Sequence, residues 1–181
     1  MPTKKQHLET LSDEMIMQKV SDGDLDLLKE LFDRHHKHVY NFLYKMSGDR
    51  MLAEDLTQDV FYKLIKYRNS YNNGSFLSWM FTIARNSLKT HYTRNQRPHD
   101  DIEVLAHKAV EDEEDASENN AHLKYALSQL DPYDRELVIL NRYKEVRYED
   151  LAEIMGSTPG AVKTRVCRIL KKLKNIYLES I

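Results

Sequence analysis

Residues that interrupt helices are scarce in this 181-residue chain, which has only five glycines and four prolines. With Leu, Lys, Glu and Asp plentiful and apolar residues spaced by three and four, that scarcity excludes a turn-rich β architecture and points to a mostly helical protein. No stretch alternates apolar and polar residues as a half-buried strand does. The single cysteine, Cys167, excludes an internal disulfide, and no Cys/His set has zinc-finger spacing. No run reaches the roughly 18 consecutive apolar residues of a membrane span, and Met1 to Leu11 has basic residues but no apolar core of signal-peptide length. A cytoplasmic protein with no membrane insertion of its own is expected. A phosphate-cradling glycine loop and a nucleophile motif are also missing, and His35, His36 and His38 have no third metal ligand at recognisable spacing. No enzyme activity, no cofactor and no metal are expected.

The charge is distributed informatively. The net value of −2 divides into +3 for residues 1–98, −8 for residues 99–120 and +3 for residues 121–181. Two mildly basic modules therefore flank an acidic segment, whose run Glu111-Asp112-Glu113-Glu114-Asp115 repels itself and favours an extended, solvated linker. Before the linker, polar or glycine-bearing breaks at Ser21-Asp22-Gly23, Ser47-Gly48-Asp49 and Asn69 to Gly74 separate four predicted helices. The second of these has a predicted seam of Leu25, Leu28, Phe32, His35, Val39, Phe42 and Met46. After the linker, Ala121 to Leu130 reads as a helix. Asp131-Pro132 caps another that is expected to run to about Lys144.

Three stretches carry function. In the first, Ala53 to Leu64, Leu52, Leu56, Val60 and Leu64 recur every four residues as an inward stripe, while Asp55, Gln58, Asp59 and Tyr62 fall on the other side. A core face and a docking face share one short helix. In the second, a loop with aromatics and amides, Tyr71 to Trp79, leads into the acid-free basic run Arg85 to Arg97. Single-stranded bases and their backbone need that combination, with Asn72, Asn73 and Ser75 as the freest hydrogen-bonding groups. Phe76, Trp79, Met80 and Ile83 also have core spacing, and Trp79 suits a core as well as a base. In the third, Leu151, Ala152, Met155, Gly156 and Val162 have the spacing of a helix-turn-helix. Val162, Val166, Ile169, Leu173 and Ile176 form the seam of its second helix, and Lys163, Thr164, Cys167, Arg168 and Lys171 face away. Six basic residues and no acid occur from Gly156 to Leu178, as expected of a surface meeting phosphates and base edges in a major groove.

Taken together, Ala53 to Leu64, Phe76 to Asn86 and Tyr148 to Arg165 resemble a bacterial RNA polymerase sigma factor of the extracytoplasmic-function (ECF) kind. The resemblance implies an all-α protein of two small helical domains, region two (residues 1–98) and region four (residues 121–181), joined by a flexible acidic linker (residues 99–120). It further implies that Asp55, Gln58, Asp59 and Tyr62 contact core RNA polymerase. Asn72, Asn73, Ser75, Phe76, Trp79, Arg85, Asn86, Lys89 and Arg94 would read and open the minus-ten promoter element, the loop from Asn72 to Ser75 shaping a pocket for a flipped base. Gly160, Ala161, Lys163, Thr164, Cys167, Arg168 and Lys171 would read the minus-thirty-five element. The partners implied are core RNA polymerase, promoter DNA and an anti-sigma factor. Two departures from the family pattern concern the turn between the second and third helices of region four, where Val146 or a neighbour replaces the usual glycine, and Ala161, where threonine is common. The alternative from another class is a stand-alone helix-turn-helix regulator in which residues 1–98 sense a signal or dimerise. The docking stripe followed by an amide loop and a basic helix argues against it.

Overall fold

The computed structural model describes residues 11–95, 118–142 and 146–179, and among these there are eight α-helices and no strand. The linker run Glu111 to Asp115, Arg97 and Lys144 lie outside the described residues. Residues 11–43 and 51–95 make one compact unit, and the described residues after 117 belong to the other.

In the first unit, α1 (Asp13–Ser21) starts where the Ser12 hydroxyl accepts the Met15 amide at 3.3 Å, and Asp13 and Glu14 place negative charge in its first turn. It buries Ile16, Met17 and Val20. A 3-10 turn, Leu25–Leu27, leads into α2 (Leu28–Ser47), followed by α3 (Arg50–Lys66), a second 3-10 turn (Arg68–Ser70) and α4 (Phe76–Asn95). The breaks fall where polar and glycine-bearing clusters predict them. Leu31, Phe42, Leu43, Leu64, Phe76, Met80 and Phe81 fill the core, with the Phe42 and Phe81 rings edge-on at 5.6 Å.

The seam of α2 differs from the expected one. Leu27, Leu31, His35, Val39, Phe42 and Leu43 are buried, whereas Leu25 and Phe32 are exposed. For Leu25 the 3-10 turn is the physical reason, since its three residues per turn advance the chain out of phase with an α-helix extended backwards to that residue, whereas Phe32 lies within the helix at the edge of its buried face. Phe32 instead stacks on His36 at 4.7 Å and meets Phe61 edge-on at 4.8 Å.

The second unit holds α5 (Glu118–Ser128), α6 (Pro132–Asn141), α7 (Tyr148–Met155) and α8 (Pro159–Glu179). Asp131 caps α6 through a 3.0 Å bond from the Asp134 amide, with Pro132 in the first turn. The helix ends at Asn141, short of the expected Lys144. The buried Asp150 carboxylate reaches back to the Arg147 amide at 3.1 Å, stabilising the start of α7. Val146 is buried just before it. Gly156 ends α7 in the left-handed conformation, φ +63°, and the Ser157 amide returns to the Ala152 carbonyl at 2.8 Å. This is the tight turn of the helix-turn-helix, and α7 and α8 pack against each other across it.

Nothing lies within 4 Å of a Cβ built on Gly156, so a side chain there meets backbone strain alone. Gly156→Ala is expected to lower stability by about 1–2 kcal/mol, read as a lower midpoint in urea denaturation.

Candidate docking and nucleic-acid interfaces

The outer face of α3 carries Asp55, Gln58 and Tyr62, all exposed, with Tyr62 at 61%. Leu56, Val60 and Leu64 are buried on the opposite face, and Leu52 is half-buried. Met51, 77% exposed, continues the stripe one turn earlier at positions 51, 55, 58 and 62. Sequence reasoning missed it because methionine counts as a core residue, although its phase with Asp55 was visible. Asp59 is only half-exposed. Its carboxylate pairs with Lys63 at 2.6 Å, and the same ammonium donates at 2.8 Å to the hydroxyl of Ser87, a buried residue of α4.

The loop before α4 is ordered by its own hydrogen bonds. Tyr71 is buried and its hydroxyl donates to the Gly74 carbonyl at 2.6 Å, while Asn73 adopts φ +61° and Asn72, Asn73 and Gly74 are exposed. Asparagine tolerates that left-handed conformation better than most residues. Ser75 caps α4, its hydroxyl accepting the Ser78 amide at 3.2 Å, so its oxygen already has a partner within the protein. Phe76 corrects the expectation of a base contact. It is wholly buried, its ring 5.5 Å from that of His35, and presents no face to nucleic acid. Trp79 is half-buried with its ring 5.2 Å from Tyr71. Further along α4, Asn86, Lys89 and Arg94 are exposed and Arg85 is half-buried.

Beneath the loop lies an ionic cluster that local sequence patterns did not reveal. Asp13 pairs with His35 Nε2 at 2.6 Å and accepts from Arg34 at 2.9 Å, and Arg34 also donates to the Leu11 carbonyl and to Glu30, each at 2.9 Å. Burial alone would raise the Asp13 carboxyl, but the hydrogen bonds and charge of His35 and Arg34 outweigh it and hold the group below its ordinary 3.8. Glu14 accepts the Phe76 amide at 3.3 Å. Burial, reinforced by the charges of Glu14 and Asp13, pushes the Tyr71 hydroxyl up to about 12 and keeps it a donor.

In the second unit, Gly160, Ala161, Lys163, Thr164, Cys167, Arg168 and Lys171 are exposed on α8, opposite buried Val162, Val166 and Ile169. The Thr164 hydroxyl donates to the Gly160 carbonyl at 2.9 Å, which leaves its oxygen as an acceptor for an outside donor. Arg165 is different from its basic neighbours. It is half-buried, bonds Asp134 at 2.5 Å and stacks over Tyr133 at 4.5 Å, tying α8 to α6. The hydrogen bond it donates to Asp134 is the main reason its guanidinium is held even more firmly protonated than usual.

Comparison with known proteins agrees in both units. Sigma-70 region 2 matches residues 31–98, and Sigma-70 region 4 matches residues 122–173. RNA polymerase sigma factor CarQ of Myxococcus xanthus is 34% identical over 169 residues, which span 90% of this chain and 96% of that protein. The ECF RNA polymerase sigma factor SigM of Bacillus subtilis is 28% identical over 83% of this chain and 94% of its own. Among solved structures, the sigma factor RpoE in complex with the anti-sigma factor NepR from Bartonella quintana superposes with a TM-score of 0.68 at 29% identity. It covers 82% of this chain and 94% of that one. CnrH in complex with the cytosolic domain of CnrY gives a TM-score of 0.72 at 20% identity over 93% of this chain and 97% of that one, a likeness of fold.

The depressed Asp13 carboxyl sets the sign of one pH effect. Its stabilising contribution is fully present above the unfolded value of 3.8 and is lost as pH falls through the lower folded value. Asp13→Asn should therefore reduce stability by about 1–3 kcal/mol at pH 7. The gap from the parent chain should close on acidification below about pH 4, as measured by urea denaturation across pH.

Proposed function

The chain belongs to the ECF RNA polymerase sigma factors, and from that premise we propose a division of labour among its three exposed faces. The α3 stripe of Asp55, Gln58, Asp59 and Tyr62, extended by Met51, docks on core RNA polymerase. The Asn72 to Ser75 loop, with Trp79, Arg85, Asn86, Lys89 and Arg94 behind it, engages the minus-ten element. The outward face of α8, from Gly160 to Lys171, reads the minus-thirty-five element in the major groove. Residues 1–98 and 121–181 are thus the region-two and region-four domains, and residues 99–120 the linker between them.

The observation that carries this reading is the coexistence of three unlike surfaces, each opposite a buried apolar face. An acid-and-amide stripe suits a protein partner, a loop of exposed amides leading to cations suits unpaired bases, and a basic helix without acids suits duplex DNA. A stand-alone regulator needs only the last. Members of this family are specificity subunits of an enzyme rather than enzymes themselves, and the working place of such a subunit is the cytoplasm. An anti-sigma factor is the expected regulator, since RpoE of Bartonella quintana was solved with one.

Binding of the purified chain to core polymerase tests the first assignment. An Asp55→Ala, Gln58→Ala double variant is expected to lose about tenfold or more in affinity, because two hydrogen-bonding groups at a docked face are removed. Lys163→Ala with Arg168→Ala should lower promoter-dependent initiation about tenfold or more while leaving core affinity within about twofold. Loss of both activities in the second variant would count against separate faces.

A further inference from the structure

A loop that receives an unpaired base binds it more tightly if the loop is ordered beforehand, since the entropy lost in ordering it on binding would offset part of the favourable interaction with the base. The Asn72 to Ser75 loop has no regular structure of its own, yet its two ends are held, and α1 packs against the elements on both sides of it. We propose that α1 is the positioning element of this loop and that Glu14 is the residue through which it acts, an inference that rests on the minus-ten role given to the loop above.

Several independent interactions converge on this. α1 packs against the Arg68–Ser70 turn and against α4, the two elements that bracket the loop. The Glu14 carboxylate accepts the amide of Phe76, the first residue of α4, a donor that the helix itself leaves unsatisfied. Ser75 satisfies a second such donor, at Ser78, so the start of α4 is closed by one group from the loop and one from α1. The Phe76 side chain is fixed as well, wholly buried beside His35, whose ring is held by Asp13, the neighbour of Glu14. At the other end of the loop, the hydroxyl of buried Tyr71 holds the Gly74 carbonyl at 2.6 Å.

α1 is itself firmly seated. Ile16, Met17 and Val20 are completely buried, and Arg34 grips both Asp13 and the Leu11 carbonyl. A carboxylate beside a surface meant for phosphates is unfavourable in itself. At Glu14 the charge points at a backbone amide and the positive end of α4, where it is stabilising. The residue acts through the loop and is a positioning residue.

The test uses holoenzyme assembled from the full chain and core polymerase, on a promoter fragment recovered by run-off transcription of genomic fragments with the parent holoenzyme. Core affinity is measured by fluorescence titration, and strand opening by permanganate reactivity of minus-ten thymines. Glu14→Ala is expected to slow opening about tenfold with core affinity within about twofold. Glu14→Gln, which keeps an acceptor oxygen for the Phe76 amide, should stay within about threefold of the parent in opening. Opening by Glu14→Ala at the parent rate would overturn the inference. So would a proportional loss of core affinity, which signals general loosening, or a Glu14→Gln variant as slow as the alanine, which signals charge alone. A parent holoenzyme that opens no promoter overturns the reading beneath it and this inference with it. A parent that opens normally while Glu14→Ala matches it overturns this inference alone.

Discussion

A carboxylate taken out of water must be surrounded by donors and cations, and Asp13 satisfies that constraint for the whole first unit. One oxygen meets Arg34 and the other His35, so α1 is pinned to the middle of α2 by a charged knot as well as by Ile16, Met17 and Val20. Removing Arg34 or His35 would leave one oxygen of the partly buried Asp13 carboxylate without its partner, so the knot favours this arrangement of α1 on α2. The start of α4 and the loop before it inherit their position from that arrangement.

The same economy governs the basic residues. A count of cations overstates the surface available to nucleic acid, because some of them hold the protein together. Lys63 joins Asp59 on α3 to Ser87 on α4, and Arg165 joins α8 to Asp134 and Tyr133 on α6. Each sits half-buried between an exposed face and the core, so each relates the orientation of that face to the helix behind it. The exposed positions on either side, Gln58 and Tyr62 in one case and Lys163 and Arg168 in the other, remain available to partners.

What the sequence made legible was local. Periods of three and four separated the two faces of α3 and α8, and three polar or glycine-bearing breaks separated the first four helices. The Asp131-Pro132 pair marked the start of α6. Each is a property of residues a few positions apart, where geometry follows directly from helix pitch. The misses came from tertiary pairings or phase changes that local pattern does not encode. Leu25 faces outward because a short 3-10 turn resets the helical phase before α2, and Phe32 lies at the edge of the buried face of α2 against Phe61. Phe76 has the composition of a base-stacking residue, but the space beside His35 makes it core. Glu14 reaches Phe76 across 62 positions of chain and Arg165 reaches Asp134 across 31, separations at which pairing depends on the tertiary fold.

The bond between Arg165 and Asp134 has a thermodynamic consequence for the salt dependence of DNA binding. When a protein cation meets a phosphate, the ions condensed on the duplex are released, and each such meeting steepens the fall of affinity with salt by about 0.9 in logarithmic slope. Arg165 is compensated within the protein before DNA arrives, which leaves Lys163, Arg168, Lys171, Lys172 and Lys174 of the six cations between Gly156 and Leu178 to displace ions. Even if all five met phosphates, their part of the slope would not exceed about 4.5. If α8 meets DNA as proposed, Arg165 therefore adds to the fixed orientation of the helix and not to that slope.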